Sequence, residues 1–244
     1  MQQRLPSLLD PPISFAHRGA RAYAPENTLE AFELGLRLGA TGLESDAWLT
    51  ADGEVVLDHD GVVRRRFGRS TPIRELCRAD LPAHIPTLRE LLERCGTEYS
   101  LSLDLKDPAA GPTVIDVVES VDRSMLPRVW LCAPRRAVLY PLRGRGARLV
   151  DSTRLSAIKE GPERRAATLA AEGIDGINLH HTDWNGGLVA LFHRFERVAF
   201  AWDLQAPHLL EQALRMGLDA VYSDHPDRLV DAARAQIGSI DPTR

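Results

Sequence analysis

The chain has 244 residues, with 30 Lys and Arg against 34 Asp and Glu for a formal net charge of −4, and 44% of it is hydrophobic. That balance excludes a disordered chain and gives no general affinity for nucleic acid or an anionic membrane surface. The three cysteines, Cys77, Cys95 and Cys132, are odd in number and lack a CxxC pair, so neither a disulfide framework nor a thiolate metal site is expected.

In chain order, strand-like and helix-like segments alternate. Residues 1–12 lack the apolar core of a signal peptide. No stretch approaches the roughly 20 apolar residues of a membrane span, so the expectation is a cytoplasmic protein with no integral membrane segment. Residues 13–17 read as a strand. Pro25-Glu26-Asn27-Thr28 opens a helix, with Asn27 as the N-cap, Glu30 in the capping-box position and Gly39 as the stop. Leu29, Phe32, Leu36 and Leu38 supply its apolar face. Residues 41–48 form the next strand, and Asp52-Gly53 is a hairpin turn into 55–59. Residues 61–86 are loop-rich, broken by Pro72, Pro82 and Pro86. They carry Arg64-Arg65-Arg66, a basic run short enough to be a solvated loop.

A helix capped by Thr87 (87–95) and a strand (99–105) follow. Then come helix 111–121, strand 128–132, helix 135–143, strand 148–151, helix 162–172, strand 174–179 and helix 188–195. Strand 198–203, helix 207–216, strand 220–223 and helix 227–236 complete the chain, with Asp224 expected to cap the last helix. About eight strands and eight helices result. The pattern matches a single eightfold β/α (TIM-type) barrel domain over residues 1–244, with a short loop insertion after the second strand. A doubly wound open sheet is the alternative, but no GxGxxG or GxxxxGKS/T loop follows any strand.

His17-Arg18-Gly19, Glu44-Ser45-Asp46 and His59-Asp60 each sit just past a short apolar stretch, where a parallel β/α protein gathers its active site. His17 and His59 suit general acid and base work, because imidazole titrates near neutral pH. Gly19 allows a tight backbone turn. Glu44 and Asp46, two apart on a strand, share a face. Two carboxylates in an enclosed mouth repel unless a cation or proton lies between them. Asp104 can add a third oxygen, and all-oxygen ligation fits Mg²⁺ or Ca²⁺. Arg18 and Lys106 suit a phosphate. Trp202 reads equally as core or as a pocket wall, and His180 and His181 as structural.

Together these residues resemble the glycerophosphodiester phosphodiesterase family. The likeness covers most of the chain and rests on an ordered set. It comprises His17-Arg18-Gly19, Pro25-Glu26-Asn27-Thr28, Glu44-x-Asp46, Thr50-x-Asp52-Gly53 and His59-Asp60, then Ile85-Pro86-Thr87-Leu88, Trp202, Gly217-x-Asp219 and Ser223-Asp224-x-Pro226. The resemblance implies a β/α barrel that hydrolyses a small-molecule glycerophosphodiester to glycerol 3-phosphate and an alcohol. By likeness His17 and His59 are the acid/base pair, and Glu44, Asp46 and Asp104 bind the divalent metal. Arg18 and Lys106 hold the phosphate, and the glycerol 2-hydroxyl attacks phosphorus before water opens a cyclic ester. Three departures stand out. Asp104 occupies a position where glutamate is usual, the segment after His59 is shorter than in many members, and Gln205 replaces a common asparagine. Action on lysolipids in the manner of a phospholipase D, or silent binding of glycerophosphodiesters, are the rival readings.

Overall fold

The computed structural model describes residues 4–64 and 70–237. Its strands are β1 (Ile13–Ala16), β2 (Gly42–Leu49), β3 (Val55–Leu57), β4 (Val62–Arg64), β5 (Ser70–Pro72), β6 (Ser100–Leu105), β7 (Val129–Ala133), β8 (Arg148–Ser152), β9 (Gly176–His180), β10 (Val198–Trp202) and β11 (Ala220–Ser223). Eight of them are parallel and run in the order β1, β2, β6, β7, β8, β9, β10, β11. The sheet closes because β1 pairs with β2 on one side (Phe15 opposite Gly42) and with β11 on the other (Ile13 opposite Ala220).

The alternation of side chains along a strand sorts residues into two layers. Ile13, Phe15, Trp130, Cys132, Val150, Val198, Phe200, Ala220 and Tyr222 fill the barrel interior. The alternate positions, among them Leu43, Leu101, Leu103, Leu131, Ile177, Leu179 and Val221, pack outward against the helices. Phe15 stacks on Tyr222 with ring centroids 4.8 Å apart. Gly42 is forced by this packing, since a Cβ there would lie 2.5 Å from Cδ1 of Phe15. Inward parity continues past the apolar layer. His17, Glu44, Asp46, Asp104, Asn178, Trp202 and Asp224 all extend the inward-facing series of their strands, so the strand ends carry the polar mouth.

The helices are α1 (Leu29–Arg37), α2 (Leu88–Cys95), α3 (Ala110–Asp122), α4 (Pro162–Glu172), α5 (Gly186–Arg194), α6 (Pro207–Arg215) and α7 (Pro226–Ile237). The α2 capping box formed by Thr87 and Glu90 is present as expected. The cap of α1 is not Asn27 but Thr28, whose side chain accepts from the Ala31 N–H at 3.2 Å. Asn27 is instead buried, with a left-handed φ of 55° that its short polar side chain tolerates. There it accepts a 2.7 Å hydrogen bond from Ser45 Oγ.

Among the described residues there are seven α-helices rather than eight. The segment read as helix 135–143 forms two single 3₁₀ turns, Arg136–Val138 and Tyr140–Leu142. Pro141 removes a backbone donor and clashes with the preceding turn, so an α-helix cannot run through it. The insertion after β2 begins with β3, which pairs antiparallel with β2 (Ala47 opposite Leu57), and continues into the β4–β5 ribbon. Val56, Val63, Ile73, Leu76, Leu81 and Ile85 give it a small core of its own against Trp48. Arg65 and Arg66 of the expected basic run lie outside the described residues, while Arg64 is exposed.

Candidate active site

The polar mouth of the barrel opens into a cavity of about 670 Å³. All eight residues singled out from the sequence line it: His17, Arg18, Glu44, Asp46, His59, Asp104, Lys106 and Trp202.

His17 follows β1, and its Nδ1 lies 2.6 Å from Oδ1 of Asp224, which follows β11. Asp224 therefore serves His17 rather than capping α7. Its backbone N–H donates to Gln205 Oε1 at 3.0 Å, and Ser223 Oγ takes the His225 N–H. The Nε2 of His17 stands 3.7 Å from Glu44 Oε2. Burial disfavours the charged imidazole, but Glu44 and the Asp224 hydrogen bond outweigh it, and the His17 pKa is raised.

The chain then turns sharply through Arg18 and Gly19, both at positive φ (50° and 77°). Gly19 meets the α1 backbone at Ala31 so closely that a Cβ would lie 2.6 Å from the carbonyl carbon. Arg18 is a non-glycine residue held in a left-handed conformation, a strain that proteins keep where geometry matters. The turn aims the Arg18 N–H at Glu44 Oε2, 2.9 Å away. Its guanidinium reaches Glu26 Oε1 at 3.0 Å and Asp46 Oδ2 at 3.5 Å.

Glu44 and Asp46 project inward from β2, and the β2–β6 register sets Asp46 directly opposite Asp104. One oxygen of each of the three carboxylates lies within 4.8 Å of the others. Lys106 Nζ answers this concentration of charge, 3.0 Å from Asp46 Oδ1 and 3.1 Å from Asp104 Oδ2. Glu44 is pushed up to about 8, first by burial and then by Asp46 and Asp104, with His17 working against the shift. Asp104 is raised as well, again mainly by burial. Two buried carboxylates and a half-buried third, with one ammonium between two of them, make a donor set that fits a hard divalent cation. Glu44, Asp46 and Asp104 could hold one.

His59 follows β3 in the insertion, so the insertion delivers one wall of the cavity. Its Nδ1 lies 2.9 Å from Asp60 Oδ1, and the ring is 38% exposed. On the far side, Trp202 ends β10 facing the cavity. The Arg154 guanidinium lies 5.7 Å from the Trp202 ring centre and pairs with Asp183 at 2.9 Å.

Sequence reasoning missed Asn27, Asn178, Arg154 and the true role of Asp224. Asn27 donates to Asp46 Oδ2 at 3.4 Å and accepts from Ser45, so it steadies the strand that bears the carboxylates. Its signal was its place in Pro25-Glu26-Asn27-Thr28. Asn178 could have been found from inward parity on β9. Arg154 sits in a loop after β8, and the partner of Asp224 is remote in sequence.

A closed parallel barrel with two histidines, three carboxylates and two cations about its mouth fits a phosphodiester hydrolase. Comparison with known proteins agrees. The model of the glycerophosphoryl diester phosphodiesterase family matches residues 17–228, and the chain belongs to that family. A glycerophosphodiester phosphodiesterase of Bacillus altitudinis is 25% identical, over 88% of this chain and 96% of its own. The fold matches the glycerophosphodiester phosphodiesterase of Thermotoga maritima with a TM-score of 0.78 at 23% identity, over 90% of this chain and 97% of that one. An Oleispira antarctica phosphodiesterase, solved in complex with the product sn-glycerol-3-phosphate, gives 0.75 at 24% identity, over 91% and 96%.

Proposed function

We propose that this protein hydrolyses glycerophosphodiesters to glycerol 3-phosphate and an alcohol, in a metal-dependent reaction with His17 and His59 as the acid/base pair. The observation that carries the proposal is the meeting of both histidines, the carboxylate trio, Arg18 and Lys106 on one cavity. Family membership and the product bound in the Oleispira antarctica relative support the substrate class.

When bound, Mg²⁺ or Ca²⁺ at Glu44, Asp46 and Asp104 would act as a Lewis acid toward phosphoryl and hydroxyl oxygens. The chain's own groups do the rest. Arg18 and Lys106, now paired with carboxylates, can turn their donors to the phosphate oxygens. Asp224 fixes the His17 ring through Nδ1, which leaves Nε2 for proton transfer. One histidine takes the proton of the attacking glycerol 2-hydroxyl, and the other returns a proton to the departing alcohol oxygen. The reverse exchange then lets water open the cyclic ester.

No helix among the described residues is long and apolar enough to cross a membrane. The cysteines Cys77, Cys95 and Cys132 are unpaired, which supports a reducing, cytoplasmic setting. The test of the proposed function is release of alcohol and glycerol 3-phosphate from purified protein and glycerophosphocholine, glycerophosphoethanolamine and glycerophosphoglycerol, with and without added divalent metal. No release from any of the three in the presence of Mg²⁺ or Ca²⁺ would sink it.

A further inference from the structure

Across the barrel from β2 and β6 stand β9 and β10. His180 ends β9, His181 follows it, and Asp203 comes directly after β10. One nitrogen of each imidazole and one oxygen of the carboxylate lie within 4.8 Å of one another. His180 Nε2 is 3.2 Å from Asp203 Oδ2, and the two imidazole ring centres are 4.5 Å apart. A tetrahedral ion bound at about 2.0–2.1 Å sets its ligand atoms about 3.3 Å from each other, so the His180–Asp203 edge already has the required span.

Each of these two ligands is oriented from behind. His180 Nδ1 lies 2.7 Å from Thr182 Oγ1 and accepts the Thr182 backbone N–H at 3.3 Å, so the ring proton sits on Nε2 facing Asp203; an ion bound at Nε2 would displace it to Nδ1, where Thr182 Oγ1 can accept it. The other oxygen of Asp203 accepts from Gln205 Nε2 at 3.2 Å. Such outer partners are a recurring part of metal sites, where they hold the angle of the ligand. The Trp202 ring closes the arrangement, T-shaped against His180 with centres 4.5 Å apart. A simple ion pair would need only His180 and Asp203; His181 adds a third donor of the right kind. Arg154 is the cation on this side, and its pairing with Asp183 offsets its charge.

We infer that His180, His181 and Asp203 form a second metal site, for a zinc-type divalent ion with an open coordination position, on the rim opposite the carboxylate trio. Two imidazoles and one carboxylate favour a borderline ion, whereas three carboxylates favour a hard one, so the two sites discriminate by ligand type. Gln205 joins them structurally. It holds Asp203 through Nε2 and the Asp224 backbone through Oε1, and Asp224 holds His17.

The test titrates metal-stripped protein with Zn²⁺, and in parallel with Co²⁺, while excess Mg²⁺ occupies the carboxylate trio. One equivalent of Zn²⁺ should bind, and the Co²⁺ form should show the intense visible absorption of a tetrahedral, nitrogen-ligated ion. The double variant His180→Ala/His181→Ala should lose both signals, and Glu44→Gln should keep both. Thr182→Val, a milder change, should weaken Zn²⁺ binding by about 10–100-fold. The site is overturned by Zn²⁺ binding that survives in the folded double variant or vanishes in Glu44→Gln. Should the double variant not fold, unchanged affinity in Thr182→Val overturns it instead. These readouts are independent of turnover, so they stand apart from the proposed hydrolysis.

Discussion

His17 Nδ1 and Asp224 Oδ1 meet at 2.6 Å across 207 positions of sequence. The contact exists because β1 and β11 are neighbours where the barrel closes, so closure of the fold and orientation of the histidine are one event. Asp224 also raises the His17 pKa. Asp224→Asn should therefore shift the His17 limb of the kcat/KM–pH profile to lower pH. His17→Ala and His59→Ala should each cost about 10²–10⁴-fold in kcat with the fold retained by circular dichroism. An unmoved limb in Asp224→Asn would show that Asp224 does not tune His17.

Chelation should abolish turnover, and Mg²⁺ or Ca²⁺ should restore it. Glu44→Ala and Asp46→Ala remove carboxylates that are almost wholly buried, whereas Asp104 is 32% exposed. A shorter, more solvated carboxylate is easily bridged by water, which Mg²⁺ retains readily. Asp104→Ala should therefore raise the half-maximal metal concentration less than either of the other two. If it raises that concentration most, Asp104 is a direct ligand.

Glu44 carries a pKa of about 8, raised chiefly by burial. Burial favours the protonated form of Glu44 in the metal-free protein, and a bound cation needs the carboxylate. Metal binding should then release a proton below pH 8 and cease to do so above it, with affinity rising as pH climbs through that range. Calorimetric titration in two buffers of different ionisation enthalpy measures the release. Equal heats in both buffers at pH 7 would contradict the assignment.

Gly42→Ala should destabilise the barrel by about 1–3 kcal/mol, the usual cost of overpacking. The new Cβ meets the Phe15 ring, which is itself stacked on Tyr222. The denaturant midpoint checks this, and a midpoint equal to that of the unaltered protein would mean that the ring pair shifts freely.

The barrel was legible because apolar stretches of strand length alternate with capped helical patterns, and because each polar cluster falls immediately after such a stretch. His17, Arg18, Glu44, Asp46, His59, Asp104 and Lys106 were legible for the same reason, whereas Trp202 read equally as core. What escaped is of two kinds. Thr28 and Asn27 stand side by side with similar capping chemistry, and the left-handed turn at Arg18 and Gly19 that draws Asn27 inward is not encoded within the helix. Asp224 and Arg154 act through partners far away in the chain, which local periodicity cannot register. Residues 135–143 show the reverse error, since the alternating strand and helix pattern placed there a helix that Pro141 forbids.

That missing helix leaves the outer ring thinnest between β7 and β8. The connection ends in an exposed turn over residues 143–146, distant in sequence from every cavity residue of β1, β2 and β3. Exposed turns with few packed side chains tolerate new chain ends and inserted domains. The barrel could thus be reopened there and rejoined elsewhere, giving a permuted enzyme whose closing seam, with His17 and Asp224 upon it, is carried by a continuous stretch of chain.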